Sequence, residues 1–372
     1  MKERKLENYQ AVAIIVIVML SHIILNLPNH LISQAGSATI LNFFYIFGII
    51  LIIFWIVTKF FKLFPNSDLI DICEYAGGKI AKNIYTASLL VYLFTVSAFV
   101  IRIFSESLVL IYFPNMDVDM VILVFIIITA VINVLGFKSI ARASVILFPL
   151  IIVALLFVFV SSSSSFMPER ALPILGYGVS ETFLKGLTNI FAFSSALVIT
   201  MVAPYINDEN RMRKISFISL IIYGICIFGG IIAMLFIMPS VDDMNNTLSI
   251  YILAKRVTIG NFIQSIDAVF ILVWIMLIFI YLSIIMHFIL ASFQRIVPIK
   301  HEINMVYSFS AITFIISMLP KTTTDINFFE SVVYKYASII FVFFISFIIL
   351  ICGYIKKKHE LSKGESNLEK TN

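Results

Sequence analysis

Two charged side chains lie inside an otherwise apolar run, SAFVIRIFSESLVLIYF, at residues 97–113. Arg102 and Glu106 are four residues apart, so an α-helix places them on one face and close enough to pair. Asp267 lies in another apolar run, IDAVFILVW. A charge facing lipid costs several kcal/mol, so we expect all three side chains to face the interior of a helix bundle or water. Two roles stay open: a structural Arg–Glu clamp, or the lining of a vestibule that opens to the outer face.

Polar residues also cluster in the middle of two further apolar runs. VMLSHIILNLPNHL contains Ser21, His22 and Pro28, and NIFAFSSALVITMVAP contains Ser194 and Ser195. Proline disfavours helix in the residue before it, and a break exposes backbone groups that are tolerated at membrane depth only where they line a cavity. These runs therefore predict two broken helices that share a central site. The alternative is a simple kink, with the serines bonded back to their own helix.

Patterns typical of enzymes and of metal or nucleic-acid sites are missing from the sequence. It contains no glycine-rich phosphate loop, no HExxH and no clustered Cys and His residues. The three cysteines, Cys73, Cys226 and Cys352, are widely spaced and are predicted to be packing residues. We therefore expect no catalysis, no cofactor, no metal and no nucleic-acid partner.

The composition is that of a polytopic α-helical membrane protein. The chain has 372 residues, of which 61% are hydrophobic and 13% charged, with a mean hydropathy of +1.05. Apolar runs long enough to cross a hydrocarbon core recur along the whole chain. Hydropathy and helix breakers predict ten spans, at about residues 9–34, 37–57, 81–113, 119–136, 140–160, 182–206, 215–238, 261–294, 302–320 and 333–355.

Charge and span number predict the topology. Most of the 26 Lys and Arg residues fall in segments that share one side of the membrane with the N-terminus, so both termini are predicted to be cytoplasmic. Ten spans divide into two sets of five, at about residues 9–160 and 182–355. Because five is odd, the second set runs inverted relative to the first, as in many transporter folds. The whole chain, 1–372, is then one transmembrane domain that ends in a basic cytoplasmic tail, 356–372.

Four stretches resemble a known family: ILNLPNHL, VIRIFSESL, FAFSSALVITMVAPYI and IDAVFILVW. The chain resembles the B subunits of spore germinant receptors, which are endospore germination permeases of the amino acid–polyamine–organocation superfamily. The resemblance covers nearly the whole chain. It implies an inverted-repeat fold, like that of sodium-coupled amino-acid transporters, with spans one and six broken.

The resemblance also implies a function in the spore inner membrane. Such proteins sense a small nutrient germinant, often an amino acid, and work with a larger A-type membrane subunit and a C-type lipoprotein subunit. The germinant is expected to bind where spans one and six meet spans three and eight. The expected ligand-binding residues are Ser21, His22, Ile23, Leu25, Arg102, Glu106, Phe191, Ser194, Ser195, Ala196 and Asp267.

One departure from the family pattern bears on the ligand. SHIILNLP and FAFSSA contain no glycine, whereas related amino-acid transporters hold a carboxylate on backbone amides beside glycines at these breaks. This argues against a carboxylate site of that type. Two functions remain open: a sensing subunit that does not move its ligand, and a secondary amino-acid transporter coupled to H⁺ or Na⁺. A purely structural scaffold ranks third. Such a protein would have no need for buried charges around a cavity, and the sequence predicts such charges.

Overall fold

A computed structural model describes residues 5–23, 27–206, 209–237, 266–298 and 302–369. Over these residues the chain is helical throughout and has no strand, which confirms the all-α class. The helices, numbered in chain order, are α1 (Asn8–Ile23), α2 (Leu27–Ala35), α3 (Thr39–Phe61), α4 (Leu69–Tyr112), α5 (Val118–Val134), α6 (Phe137–Ser162), α7 (Ser180–Tyr205), α8 (Glu209–Ile237), α9 (Ile266–Gln294), α10 (Glu302–Ser317) and α11 (residues 323–369).

Seven helical runs of the described chain are long and apolar enough to cross a membrane. They are Leu27–Phe61, which joins α2 and α3 through a short 3₁₀ turn, and Leu69–Tyr112, Phe137–Ser165, Ser180–Tyr205, Asn210–Ile237, Ile271–Gln294 and Ser331–Leu361. Shorter apolar helices, Asn8–His22, Val118–Val134 and Ile303–Ser317, lie where the first, fourth and ninth spans are predicted. The protein is therefore a multi-pass membrane protein, with seven helices that qualify as spans by length and composition.

Helix α1 occupies the centre of the bundle. Every side chain from Ala13 to Ser21 is buried, and α1 packs against α6, α7, α8 and α9. A helix that is apolar on all sides belongs in the interior of a large bundle. By contrast, α5 and α6 leave Ile127 and Ile146 more than half exposed, as expected for helices whose outer faces meet lipid.

The other helices pair across the bundle. α3 packs on α8, α4 on α9, and α5 on α10. α4 also contacts α5, α10 and α11, and α9 also contacts α5, α6 and α10. Helix α9 therefore connects the central helix α1 to α4, α5 and α10.

Helix α4 begins with a short section that differs from the rest. The Asp68 carboxylate caps it by accepting a hydrogen bond from the backbone N–H of Asp71 at 2.8 Å, and the Asp71 carboxylate accepts one from the backbone N–H of Asp68 at 3.2 Å. This reciprocal pair satisfies amides that a helix start otherwise leaves free. The section ends at Gly78, whose φ of 75° is tolerated best by glycine. Residues 69–77 thus form a small helix that is kinked away from the membrane-crossing part.

Helix α7 departs from α-helical geometry where the sequence predicts a break. It starts with a π-helical turn, Ser180–Leu184, and continues as a 3₁₀ helix over Lys185–Ala196 before a short α-helical segment, Leu197–Val202. Runs of 3₁₀ helix longer than three or four residues are uncommon, and within a longer helix they often mark a functional hinge. The predicted site residues of span six all lie in this 3₁₀ segment.

Candidate ligand-binding site

A chain of three hydrogen-bonding side chains links α1, α7 and α11. The hydroxyl of Tyr334 lies 3.0 Å from Ser194 Oγ and 3.2 Å from His22 Nδ1. Tyr334 also stacks on the His22 imidazole, with ring centroids 5.7 Å apart and planes 2° from parallel. Because each group both donates and accepts, the chain can run in either direction. It joins the predicted sites of spans one and six through a residue of α11.

Aromatic rings enclose this chain. The ring of Tyr281, on α9, meets His22 edge-on at 5.6 Å, and Phe191 meets Tyr334 edge-on at 6.5 Å. The Tyr281 hydroxyl is fully buried and has no hydrogen-bond partner among the described residues. An unpartnered buried hydroxyl costs about 1–3 kcal/mol. It therefore marks a place where a polar ligand atom or a water molecule would be stabilised.

A small cavity adjoins the chain. Its volume is about 30 Å³, and its walls come from α1, α2, α4, α7 and α11, namely His22, Leu27, Val96, Phe99, Val100, Ile103, Phe191, Ala192 and Tyr334. One water molecule needs roughly 10–15 Å³, whereas pockets for small organic ligands span roughly 300–1,000 Å³. In this conformation the cavity holds water at most, so a nutrient requires side chains to move apart.

A second polar layer lies at the same junction, between α2, α7 and α11. Lys335 Nζ donates to Gln34 Oε1 at 2.7 Å. The amide of Gln34 in turn donates to the carbonyl of Lys185 and to Thr188 Oγ1, at 2.7 and 2.9 Å. Phe191 lies between the two layers, because its ring contacts Tyr334 and is also 5.5 Å from Lys335 Nζ. Both layers therefore meet at one aromatic side chain.

The predicted Arg102–Glu106 pair is confirmed, and it lies beside the cavity rather than in its wall. Arg102 Nε donates to Glu106 Oε1 at 2.8 Å, and the guanidinium is 3.9 Å from Asp119 at the start of α5. The neighbouring residues Phe99 and Ile103 line the cavity. This geometry favours the clamp between α4 and α5 over the vestibule lining.

The remaining predicted site residues fall into three groups. Ser21 is fully buried, and its hydroxyl donates to Val18 O at 2.8 Å within its own helix. Ser195 and Ala196 complete the 3₁₀ segment but do not line the cavity. Ile23 ends α1 and Asp267 begins α9, but their side chains, like all of Leu25, lie outside the described residues.

A larger cavity lies at the other end of the bundle, which is predicted to be cytoplasmic. Its volume is about 370 Å³. It lies between the start of α4, the end of α7 and the end of α9, where Tyr85, Tyr205 and Arg295 are among the lining residues. This volume is in the range of pockets that hold small organic molecules. A cavity of ligand size therefore lies on the side opposite the predicted outer vestibule.

An ionic cluster stands at the mouth of this inner cavity. Arg295, just beyond α9, lies 3.2 Å from Asp68 and 2.8 Å from Asp71 at the start of α4. Burial, followed by repulsion from Asp71, raises the pKa of the Asp68 carboxyl from 3.8 to about 6, against the opposing effect of Arg295. The cluster therefore ties the first section of α4 to the end of α9 and carries one carboxyl that titrates in mildly acidic solution.

Sequence reasoning missed Tyr334 and Lys335 in the outer site and Asp68, Asp71 and Arg295 in the inner cluster. Lys335 has a signal in the sequence, since it lies inside the last predicted span, 333–355. The two aspartates match a helix start of the capping-box type. Their pairing with Arg295 joins residues more than 200 positions apart, which no local spacing predicts.

These observations define a class. The protein is an all-helical, multi-pass membrane protein with a polar, aromatic-lined site at the centre of the bundle. Within that class, the chain belongs to the spore germination protein family, whose family model matches residues 5–326. The resemblance to the B subunits of spore germinant receptors is thereby confirmed. The family is of a membrane receptor or transporter type and is not a known enzyme family.

A curated relative supports the same assignment. The chain is similar to spore germination protein KB of Bacillus subtilis (strain 168), with 20% identity over 322 residues. The aligned part covers 85% of this chain and 86% of the relative. The similarity therefore extends over nearly the whole of both proteins.

The Arg102–Glu106 pair gives a prediction about stability. Arg102→Met leaves Glu106, whose side chain is 21% exposed, without its partner, and we expect a loss of about 2 kcal/mol in unfolding free energy. The double variant Arg102→Met/Glu106→Gln should regain more than half of that loss, because no uncompensated charge remains. The measurement is thermal unfolding in lipid nanodiscs. As a control, Glu181→Gln breaks a more exposed i, i+4 pair with Lys185 and should cost less than about 1 kcal/mol. Equal losses in the single and double Arg102 variants would contradict the clamp.

The Asp68 carboxyl gives a prediction about pH. Its pKa is higher in the folded protein than its ordinary value, so its stabilising contribution is complete below about pH 4 and is lost as pH rises through about 6. Asp68→Asn removes this titration while keeping an equally good helix cap. The unfolding midpoint of the wild type minus that of this variant should therefore be largest near pH 4 and smallest near pH 7. A difference between the two proteins that does not change with pH, or that has the opposite sign, would show that the Asp68 pKa is not raised.

Proposed function

We propose that the protein is the nutrient-sensing B-type subunit of a spore germinant receptor in the spore inner membrane. It binds a small nutrient, an amino acid in the first instance, at the junction of α1, α7 and α11. Binding shifts the subunit between two conformations, and the change passes to an A-type membrane subunit and a C-type lipoprotein. The observation that carries this proposal is the His22–Tyr334–Ser194 chain beside a small aromatic-lined cavity.

The chemistry of the chain suits recognition of a polar nutrient. A hydroxyl, an imidazole and a phenol each donate or accept, so they match an amino or carboxyl group in several orientations. The unpartnered Tyr281 hydroxyl supplies a further polar atom beside His22. Such a site is mostly apolar with a few convergent polar groups, which is the usual composition of small-molecule sites.

The size of the cavity links binding to signalling. A nutrient does not fit into about 30 Å³, so the liganded protein must differ in structure from the described one. A ligand shifts such an equilibrium by the difference between its affinities for the two states. The 3₁₀ segment of α7 is the element best placed to change, because a return to α-helical geometry would move Phe191 and Ser194 relative to Tyr334.

Helix α11 provides a route from the site to the predicted cytoplasmic face. It carries Tyr334 near its start and continues to residue 369. Near its far end, Lys356 Nζ donates to Tyr75 O at 2.6 Å, and Glu360 accepts a hydrogen bond from the Tyr75 hydroxyl. Displacement of Tyr334 is therefore transmitted along one continuous helix to the small helix at residues 69–77.

Helix contacts support an inverted repeat of five plus five spans, in which α1 with α2 corresponds to α7, and α3, α4, α5 and α6 correspond to α8, α9, α10 and α11. Under this exchange, the α1–α8 contact matches α7–α3, α1–α6 matches α7–α11, and α4–α11 matches α9–α6. The pairs α4–α10 and α4–α5 likewise match α9–α5 and α9–α10. The α1–α9 contact has no counterpart of similar extent among the described residues. An odd number of spans per repeat inverts one half and places a shared site at the repeat interface. Ten spans also put both termini on one side, which the distribution of Lys and Arg residues predicts to be cytoplasmic.

Transport is the second candidate function, and the inner cavity is the observation that favours it. A cavity of about 370 Å³ at the predicted cytoplasmic end, together with the much smaller cavity of about 30 Å³ above it, resembles one state of an alternating-access cycle. The Arg295 cluster also puts charged groups at the inner end. Receptor and transporter therefore differ in whether the ligand leaves through this cavity.

Single-atom changes test the proposed site. Tyr334→Phe removes the hydroxyl that joins His22 and Ser194, and Tyr281→Phe removes the unpartnered hydroxyl. Each should weaken germinant binding roughly 5- to 30-fold, because a polar contact with the ligand contributes about 1–2 kcal/mol. Tyr336→Phe is the matched control, since Tyr336 lies on the same helix and is exposed.

Two measurements read out these variants: the germinant concentration for half-maximal germination of host spores, and the affinity of the purified protein. The Tyr334 and Tyr281 variants should require more germinant at unchanged protein level in the membrane. If both respond like the Tyr336 control, the ligand does not bind at this junction.

A further inference from the structure

Lys335 is a partly buried cation without a carboxylate partner among the side chains that the structure describes. Its ammonium group donates to a neutral amide, Gln34, and lies near the ring of Phe191. By contrast, Arg102 and Arg295 each contact two carboxylates. A buried charge costs several kcal/mol unless it is paired, and an uncompensated one inside a membrane helix is a functional candidate.

The position of Lys335 relates it to the proposed site. It follows Tyr334 directly on α11, and Phe191 contacts both residues. Phe191 also lines the small cavity. A ligand that displaces the Phe191 ring would therefore meet the His22–Tyr334–Ser194 chain at one end and the Lys335 ammonium at the other.

We propose that Lys335 selects germinants that carry a carboxylate, by pairing with this group when the ligand displaces Phe191. Gln34 holds the ammonium in place in the empty protein, and its neutral oxygen is a weaker partner than a carboxylate. The inference rests on the proposed function, because it assigns a binding partner to one end of a ligand that binds at the same junction. In this proposal a side chain, and not the backbone, binds the carboxylate. This agrees with the structure of Lys185–Ala196, because the backbone of this segment forms a helix.

Matched pairs of ligands test this selectivity. The probes are alanine, leucine, phenylalanine and lactate, each compared with its carboxamide, titrated by calorimetry into the full-length protein in lipid nanodiscs. The wild type should bind the acid of at least one pair roughly 10- to 100-fold more tightly than the amide, the factor expected when a hydrogen bond between charged groups is lost. Lys335→Gln should bind acid and amide equally, and Lys335→Arg should retain most of the preference. Lys321→Gln is the control, since Lys321 is an exposed lysine that belongs to neither polar layer, and it should leave the preference unchanged.

Stability gives a second readout that separates recognition from a structural role. A cation kept for a ligand destabilises the empty protein, so Lys335→Met should raise the unfolding midpoint without ligand and remove the further rise that the acid causes. A structural tether from Lys335 to Gln34 predicts the opposite, a lower midpoint without ligand.

The outcomes separate this inference from the function on which it rests. If acids and amides bind the wild type equally while Tyr334→Phe still weakens binding, the site stands and the role of Lys335 is overturned. If Lys335→Gln keeps the preference for acids, the carboxylate binds elsewhere. Absence of saturable binding for every pair would overturn both the inference and the proposed function.

Discussion

Over Ala13–Ser21 the central helix α1 has no side that faces lipid or water, because every side chain of this stretch is buried among its neighbours. In that environment each polar group must find a partner, since no solvent replaces a missing hydrogen bond. The hydroxyl of Ser21 donates a hydrogen bond within its own helix, to Val18 O. The next residue, His22, is hydrogen-bonded across the bundle to Tyr334. The location of the site follows from this constraint, because His22 is where the buried helix first needs a distant partner.

Two polar clusters, one towards each end of the bundle, suit a protein with two conformations. Towards the outer end, α1, α2, α7 and α11 converge on Tyr334, Lys335 and Phe191 beside a cavity of only about 30 Å³. At the inner end, Arg295 ties the start of α4 to the end of α9 beside a cavity about ten times larger. Helix α11 connects the two ends directly. A ligand that opens the first cluster therefore acts on an element that also contacts the small helix of the second, which gives coupling without any need for net movement of the ligand.

Local features of the sequence predicted local features of the structure. Composition predicted the helical membrane class, and the i, i+4 spacing predicted the Arg102–Glu106 pair, because both depend on residues that are close in the chain. The departure of α7 from α-helical geometry falls where FAFSSA predicted a break. In contrast, Tyr334 meets His22 from 312 positions away. Such partners depend on how helices cross, which periodicity and charge do not specify. The sequence therefore predicted His22 and Ser194 but not Tyr334.

The central claim is that this junction binds a nutrient and responds by a conformational change rather than by moving the nutrient across the membrane. The most direct measurement follows a radiolabelled germinant in sealed liposomes that contain the purified protein, with and without an imposed proton or sodium gradient. Receptor function predicts saturable binding that Tyr334→Phe weakens and a gradient does not increase. Accumulation of the germinant above the passive leak, driven by either gradient, would contradict that account and establish the protein as a coupled transporter.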